Sequence, residues 1–245
     1  MNLRQILYIV CLLTTVILAS SLFVERCTAY DTLAGFQIDS RGQYFAYTGF
    51  QVPVGRPDWI VEPFVSVFAV RQNYYFYSEG QLLEGRLSQF VPAVGVRKSL
   101  GGLNLSLSGG PSLLYAQDDS AWTDENGALV KEKVKTQDVG YSMTGYSSYR
   151  SGAHKFEGLL SYSNPELFFG RFRWMHYDYK MERGTPITPG LELLAVGNAN
   201  FQTLNAGLLV GSEFGKLQIL LKGGYQNNTT FHSGGYGGIE LYMHY

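Results

Sequence analysis

The sequence predicts an all-β chain: a closed, antiparallel, up-and-down transmembrane β-barrel of about 12 strands, with 10 as the runner-up, after an N-terminal signal peptide. Three observations lead there. In Gly237–Tyr245, the residues Ile239, Leu241, Met243 and Tyr245 fall on one face, and Gly238, Glu240, Tyr242 and His244 on the other, because successive strand side chains point to opposite sides. Charged residues are only 16%, against roughly 25% in soluble domains, while 18 Tyr, 15 Phe and 29 Gly suit a lipid-facing wall with aromatic girdles. Alternating stretches separated by turns recur down the chain, and helical periodicity is scarce. A soluble β-sandwich, apolar inside and wet outside, shares the alternation and stands as the alternative.

Residues 1–29 read as a secretory signal peptide, with 30–245 as the barrel. Arg4 supplies the positive start, an apolar run extends from Ile6 to Val24, and Cys27-Thr28-Ala29 offers the small residues that precede cleavage. The run is long enough to be read instead as a single membrane anchor. Cys11 and Cys27 both lie in this segment, so the exported chain is expected to hold no disulfide, no Cys-based metal site and no thiol nucleophile. A net charge of −1 gives no reason to expect nucleic acid as a partner.

Strands are expected near 32–40, 43–53, 60–77, 86–99, 103–116, 137–150, 154–163, 167–180, 190–198, 202–214, 217–226 and 235–245. The clearest is Leu103-Asn104-Leu105-Ser106-Leu107-Ser108, three leucines against Asn and two Ser. In 137–150, Tyr141, Met143 and Tyr149 oppose Ser142, Thr144 and Arg150; in 154–163, Phe156, Leu160 and Tyr162 oppose Lys155, Glu157 and Ser161. In 202–214, Leu204, Ala206, Leu208 and Val210 oppose Asn205, Gly207 and Glu213; in 217–226, Leu217, Ile219, Leu221 and Tyr225 oppose Gln218, Lys222 and Gly224. Two stretches resist. Ile60–Tyr77 is apolar on both faces. In Leu167–Lys180, Phe168 and Phe172 oppose Arg171 and Arg173, but parity is lost near Trp174-Met175, as a β-bulge or a strand leaving the bilayer would cause.

Tight turns fall at Gly101-Gly102, Ser151-Gly152-Ala153 and Phe214-Gly215-Lys216. With twelve strands all three share one end with both termini, the periplasmic end of a barrel whose other end carries the longer loops. Gln117–Lys135 is expected to be a polar, solvated loop, with Asp118, Asp119, Asp124 and Glu125 followed by Lys131, Lys133 and Lys135; Gln226–Gly234 is a second polar loop.

Little in the sequence suggests catalysis. His154, His176, His232 and His244 are scattered without metal-ligand spacing, and no Gly-x-Ser-x-Gly elbow occurs. His232-Ser233 is the one pair that a barrel lipid hydrolase could use, but adjacent side chains rarely aim at each other. No enzyme activity, cofactor or metal is expected. By parity Arg97, Arg150, Arg171, Arg173 and Lys222 face the lumen with Glu62, Glu157, Glu213 and Glu240. Such charges either satisfy one another as a plug or line a solute-selecting conduit. Tyr74-Tyr75-Phe76-Tyr77 and Trp174 to Tyr179 read as girdle aromatics, with sugar-stacking platforms as the alternative.

The stretch Gly190-Leu191-Glu192-Leu193-Leu194-Ala195-Val196-Gly197-Asn198-Ala199-Asn200-Phe201, with Ala206-Gly207 and Gly223-Gly224-Tyr225, resembles the cellulose biosynthesis protein BcsS family. Gly35-Phe36 leading to Tyr47-Thr48-Gly49, and the acidic Asp118, Asp119 and Asp124, fit the same layout. The family carries an arginine just ahead of Ala206-Gly207, where this chain has Asn205. The resemblance implies a non-enzymatic outer-membrane barrel of a Gram-negative bacterium, accessory to cellulose or exopolysaccharide production or export and hence to biofilm. Its expected partners are outer-membrane lipid and polysaccharide or cellulose-export machinery. A small-solute channel and a lipid-modifying barrel enzyme are the other functions weighed.

Overall fold

The structure, a computed structural model, describes residues 31–54, 59–78, 81–123, 129–164, 167–177, 179–180, 186–197, 202–229 and 233–244. The signal-peptide reading of 1–29 and the outward position of Tyr245 lie outside these residues, as does His232. The described chain is all strand: β1 (Asp31–Asp39), β2 (Tyr44–Pro53), β3 (Glu62–Ser78), β4 (Gln81–Leu100), β5 (Leu103–Thr123), β6 (Leu129–Ser151), β7 (His154–Asn164), β8 (Leu167–His176), β9 (Tyr179–Lys180), β10 (Pro186–Gly197), β11 (Gln202–Phe214), β12 (Leu217–Asn228) and β13 (Gly234–His244).

These strands form one sheet in which each pairs antiparallel with its sequence neighbour, except that β8 pairs with β10, and the two-residue β9 pairs with the start of β10, carrying on the β8 side of that ladder one residue out of register. The sheet closes on itself. β1 pairs with β13 from Asp31↔His244 to Asp39↔Tyr236. Twelve strands therefore make the wall, and the ten-strand count is set aside. Closure leaves no unpaired strand edge, which a hydrocarbon environment requires. Among the described residues there is no second sheet to stack on, so the sandwich alternative is excluded.

The two faces of the wall confirm which side is apolar. Leu160, Leu208 and Leu221 point outward and are 62%, 66% and 57% exposed, whereas Arg173, Glu192 and Glu240 point inward and are 1%, 1% and 2% exposed. A soluble fold reverses that arrangement. Leucine can stand exposed all round the cylinder only where the surroundings are themselves apolar.

The ends differ because their turns differ. Gly101, Gly152 and Gly215 take φ of 60°, 57° and 63° in two-residue hairpins closed by Leu100↔Leu103, Ser151↔His154 and Phe214↔Leu217. Left-handed backbone at that position matches the twist of a hairpin and favours glycine. All three lie at the end that also carries Asp31 and His244, hereafter the turn end. At the opposite, loop end, Asp39 Oδ1 accepts from the backbone N–H of Arg41 (2.8 Å) and Gln43 (2.9 Å), building the β1–β2 turn around Gly42.

Three expectations are corrected. Gln117–Lys135 is mostly hairpin: β5 and β6 stay paired from Gln117↔Lys135 to Thr123↔Leu129, with Asp119 opposite Lys133. Polar residues on both faces read as loop, yet the ladder forms from backbone groups, and opposed charges favour it. At 21 and 23 residues, β5 and β6 exceed by about 10 the length needed to cross a bilayer, so the hairpin projects from the loop end. Second, no bulge interrupts β8, whose ladders to β7 and β10 are continuous. Parity holds through Met175, an apolar residue that points inward and is 1% exposed. The strand breaks after His176, and pairing with β10 resumes at Tyr179–Lys180 one residue out of register, so the irregularity lies beyond Trp174-Met175 and not at it. Third, the aromatic clusters are only partly girdle. Tyr74 donates to Asp118 Oδ1 (2.8 Å) and packs on Phe76, while Tyr177 accepts a hydrogen bond from Gln218 Nε2 (3.1 Å). In Ile60–Tyr77, ladder register turns Phe64, Phe68 and Val70 inward, so that stretch is apolar on both faces because apolar residues also fill part of the lumen.

Candidate functional site

The interior is built in layers. Antiparallel register brings Glu240 of β13 level with Gly35 of β1, Gly35 level with Tyr47 of β2, and Tyr47 level with Val70 of β3. A Cβ on Gly35 would collide with the Tyr47 ring, so the absent side chain is what lets the ring lie across β1. The phenol thereby reaches past β1 and donates to Glu240 Oε2.

On its other side Glu240 meets two arginines of β8. Arg173 holds it in a fork, Nη1 to Oε1 and Nη2 to Oε2 at 2.6 Å each, and Arg171 Nη1 approaches at 3.3 Å. The planar guanidinium matches a carboxylate in this bidentate way. Arg173 Nε also donates to Glu192 Oε2 of β10 (2.7 Å), and Glu192 Oε1 accepts from Lys222 Nζ of β12 (3.1 Å). The result is a chain Arg171–Glu240–Arg173–Glu192–Lys222 that crosses the lumen at mid-height, with one positive charge in excess. All five side chains are buried. Charges can stay this far from water only when paired and hydrogen-bonded, as these are.

Toward the turn end lie two smaller clusters. Glu157 accepts from Lys155 Nζ (2.7 Å) and from the Tyr146 hydroxyl (3.0 Å). Arg97 donates to Glu62 (2.5 Å) and Asp31 (3.2 Å), and Asp31 also accepts from Tyr242 (3.2 Å) and contacts His244. Arg150 and Glu213 stand apart at the turn-end rim: the Arg150 guanidinium lies 5.0 Å from the Tyr177 ring centroid, and Glu213 accepts from Gln218 Nε2 (3.3 Å).

Ladder register thus puts all nine sequence-predicted charges on the interior face but distributes them among four groups. Arg171, Arg173, Lys222 and Glu240 are joined; Glu157, the Arg97–Glu62 pair, and the rim residues are separate. The residue that joins the central set, Glu192, was not singled out, because Leu191, Leu193, Leu194 and Val196 surround it with apolar residues of both parities. Tyr47 and Asp31 were also missed, and Lys155, though opposed to Phe156 by alternation, was not counted among the lumen charges; alternation from Gly49 would have turned Tyr47 inward.

Toward the loop end, Phe45 of β2 and Phe169 of β8 stack across the lumen with centroids 5.9 Å apart, beside Leu194 and Val196. Around them the interior becomes amide-rich, with Gln37, Gln43, Gln72, Asn205 and Gln226 lining a cavity of about 40 Å³. No group of three or more His, Cys, Asp or Glu side chains among the described residues could hold a metal ion.

No protein-family model and no curated protein matches this sequence. Solved structures do match in fold. The β domain of the Bordetella autotransporter BrkA aligns over 88% of this chain and 97% of its own at 11% identity, with a TM-score of 0.53. The translocator domain of the autotransporter NalP from Neisseria meningitidis aligns over 99% of this chain and 98% of its own at 11% identity, with a TM-score of 0.52. The chain has the closed twelve-strand barrel fold of these outer-membrane translocator domains.

Proposed function

We propose that this protein resides in a Gram-negative outer membrane as a barrel with a structurally plugged lumen, and serves cellulose or exopolysaccharide production or export without being an enzyme. The exposed apolar wall supports membrane residence. The turn end then faces the periplasm and the loop end the exterior, as in barrels of this class. The observation that carries the non-pore reading is the buried chain from Arg171 to Lys222, which occupies the mid-lumen. The polysaccharide role draws on the resemblance of the 190–201 stretch to the BcsS family. The deciding experiment is deletion of the gene in a cellulose-producing host, with cellulose measured by dye binding. A fall in surface cellulose that returns on complementation supports the role, and unchanged cellulose removes it. Separately, unchanged phospholipid and lipid A profiles after incubation with purified barrel are expected if the protein is no lipid-modifying enzyme.

A small-solute channel is the second reading, favoured by the excess positive charge at mid-lumen. It requires the central ion pairs to part.

A further inference from the structure

The loop-end cavity contains an unusual set of unpaired groups. Gln37 Oε1, Gln72 Oε1 and Asn205 Oδ1 are buried oxygens with no hydrogen-bond partner among the described residues. Their side chains are 7%, 7% and 1% exposed, and all three line the one cavity. A buried carbonyl left without a donor costs about 1–3 kcal/mol, so three around one space are costly unless something fills it.

The surroundings restrict what that is. No lining residue is basic, so an anion finds no counter-charge. The single carboxylate, Asp39, is already committed: its oxygens accept from two backbone N–H groups, from Gln43 Nε2 (3.0 Å) and from Gln226 Nε2 (3.1 Å). Asp39 thereby fixes two further amides at the rim. Apolar side chains are interleaved with these amides: Phe45 stands between its ladder partners Gln37 and Gln72, and Leu194, with Val196 beside it, is paired with Asn205. A neutral ligand that offers hydroxyl donors beside C–H groups fits this mixed lining, and this is the makeup of a sugar. The cavity of about 40 Å³ admits a hydroxylated edge or a hydroxymethyl group of a terminal sugar.

We propose that this amide-lined mouth binds the end of a neutral glycan, with Gln37, Gln72 and Asn205 as hydroxyl acceptors and Phe45, Leu194 and Val196 as the apolar contacts. The inference rests on the exopolysaccharide reading for its choice of glycan. It does not need an open pore, because the site lies outside the charge network.

The test is calorimetric titration of the purified barrel in nanodiscs with cellotetraose, maltotetraose and calcium chloride. Saturable binding of either oligosaccharide that weakens at least tenfold in both Asn205→Leu and Gln72→Leu supports the site. Asn205→Ala serves if a leucine variant fails to show the folded, heat-modifiable band. No saturable oligosaccharide response, a response that the variants leave unchanged, or a response to calcium alone overturns it. The two proposals fail differently. Oligosaccharide binding with unchanged cellulose in the deletion strain keeps the site and removes the cellular role. Lost cellulose without binding does the reverse.

Discussion

The hydroxyl of Tyr47 on β2 is hydrogen-bonded to Glu240 on β13 across the intervening strand, above the bare Cα of Gly35. Three strands at the barrel seam are thus tied by one side chain and one missing one. Tyr47→Phe removes a hydrogen bond to a charged group, and we expect a loss of about 1.5–3 kcal/mol. Glu240→Gln leaves Arg171 and Arg173 without their shared counter-charge, at about 3–5 kcal/mol. Gly35→Val displaces the ring and should match or exceed the Tyr47→Phe effect. Urea unfolding in detergent, followed by heat-modifiable gel migration, measures all three.

The central ion chain predicts an electrically quiet barrel. In planar bilayers the wild-type protein should show no steady stepwise current. Arg173→Ala removes the group that contacts both Glu240 and Glu192, and current steps should appear. Open-channel steps in the wild type would remove the plugged-lumen reading and favour the channel.

The apolar belt predicts a position-dependent cost for charge. Leu208 is central in β11 and 66% exposed, so Leu208→Arg should cost about 2–4 kcal/mol. Gln137, exposed on the projecting part of β6, should accept arginine within about 0.5 kcal/mol. Refolding equilibria into lipid vesicles compare them directly. Equal costs would mean that the belt does not lie where Leu208 is.

The projecting hairpin should respond to pH. Burial raises the Asp118 carboxyl above its usual range, a neighbouring Asp119 adds to this, and the Tyr74 hydrogen bond only partly opposes it. Because the folded hairpin then binds the proton more tightly than the unfolded one, protonation favours the folded hairpin. That advantage is full below the ordinary carboxylate range of the unfolded chain and is lost as pH rises through the raised value. Amide exchange in 116–123 and 129–136, corrected for its intrinsic pH dependence, should show greater protection near about pH 4 than near about pH 7. Asp118→Asn should flatten the difference.

Much of the wall was legible because alternation with period two is a strong signal wherever one face meets lipid. The strands around Leu103–Ser108, Leu204–Val210 and Leu217–Tyr225 needed no tertiary information. The projecting hairpin was not legible, since Gln117–Lys135 has no apolar face and its order comes from backbone pairing. The Trp174-Met175 region misled for a different reason: Met175 is apolar yet inward, so hydropathy and parity disagreed. Within the interior, alternation assigns a face but not a partner. Nothing in the residue pattern shows that Arg173 contacts both Glu192 and Glu240, since those contacts depend on which strands the closed cylinder brings opposite one another. The amide mouth was invisible because Gln37, Gln72 and Asn205 are far apart in sequence and individually unremarkable.

Glu240 belongs to the final paired strand, and this bears on the order of assembly. A chain that has laid down everything before Gly234 holds Arg171, Arg173 and Lys222 with Glu192 as the only carboxylate of their group. Pairing of β13 lowers that surplus from two charges to one, and the same pairing joins the first strand to the last. One strand therefore supplies both the carboxylate between two arginines and the edge that shuts the cylinder, so a chain cut short before it lacks both.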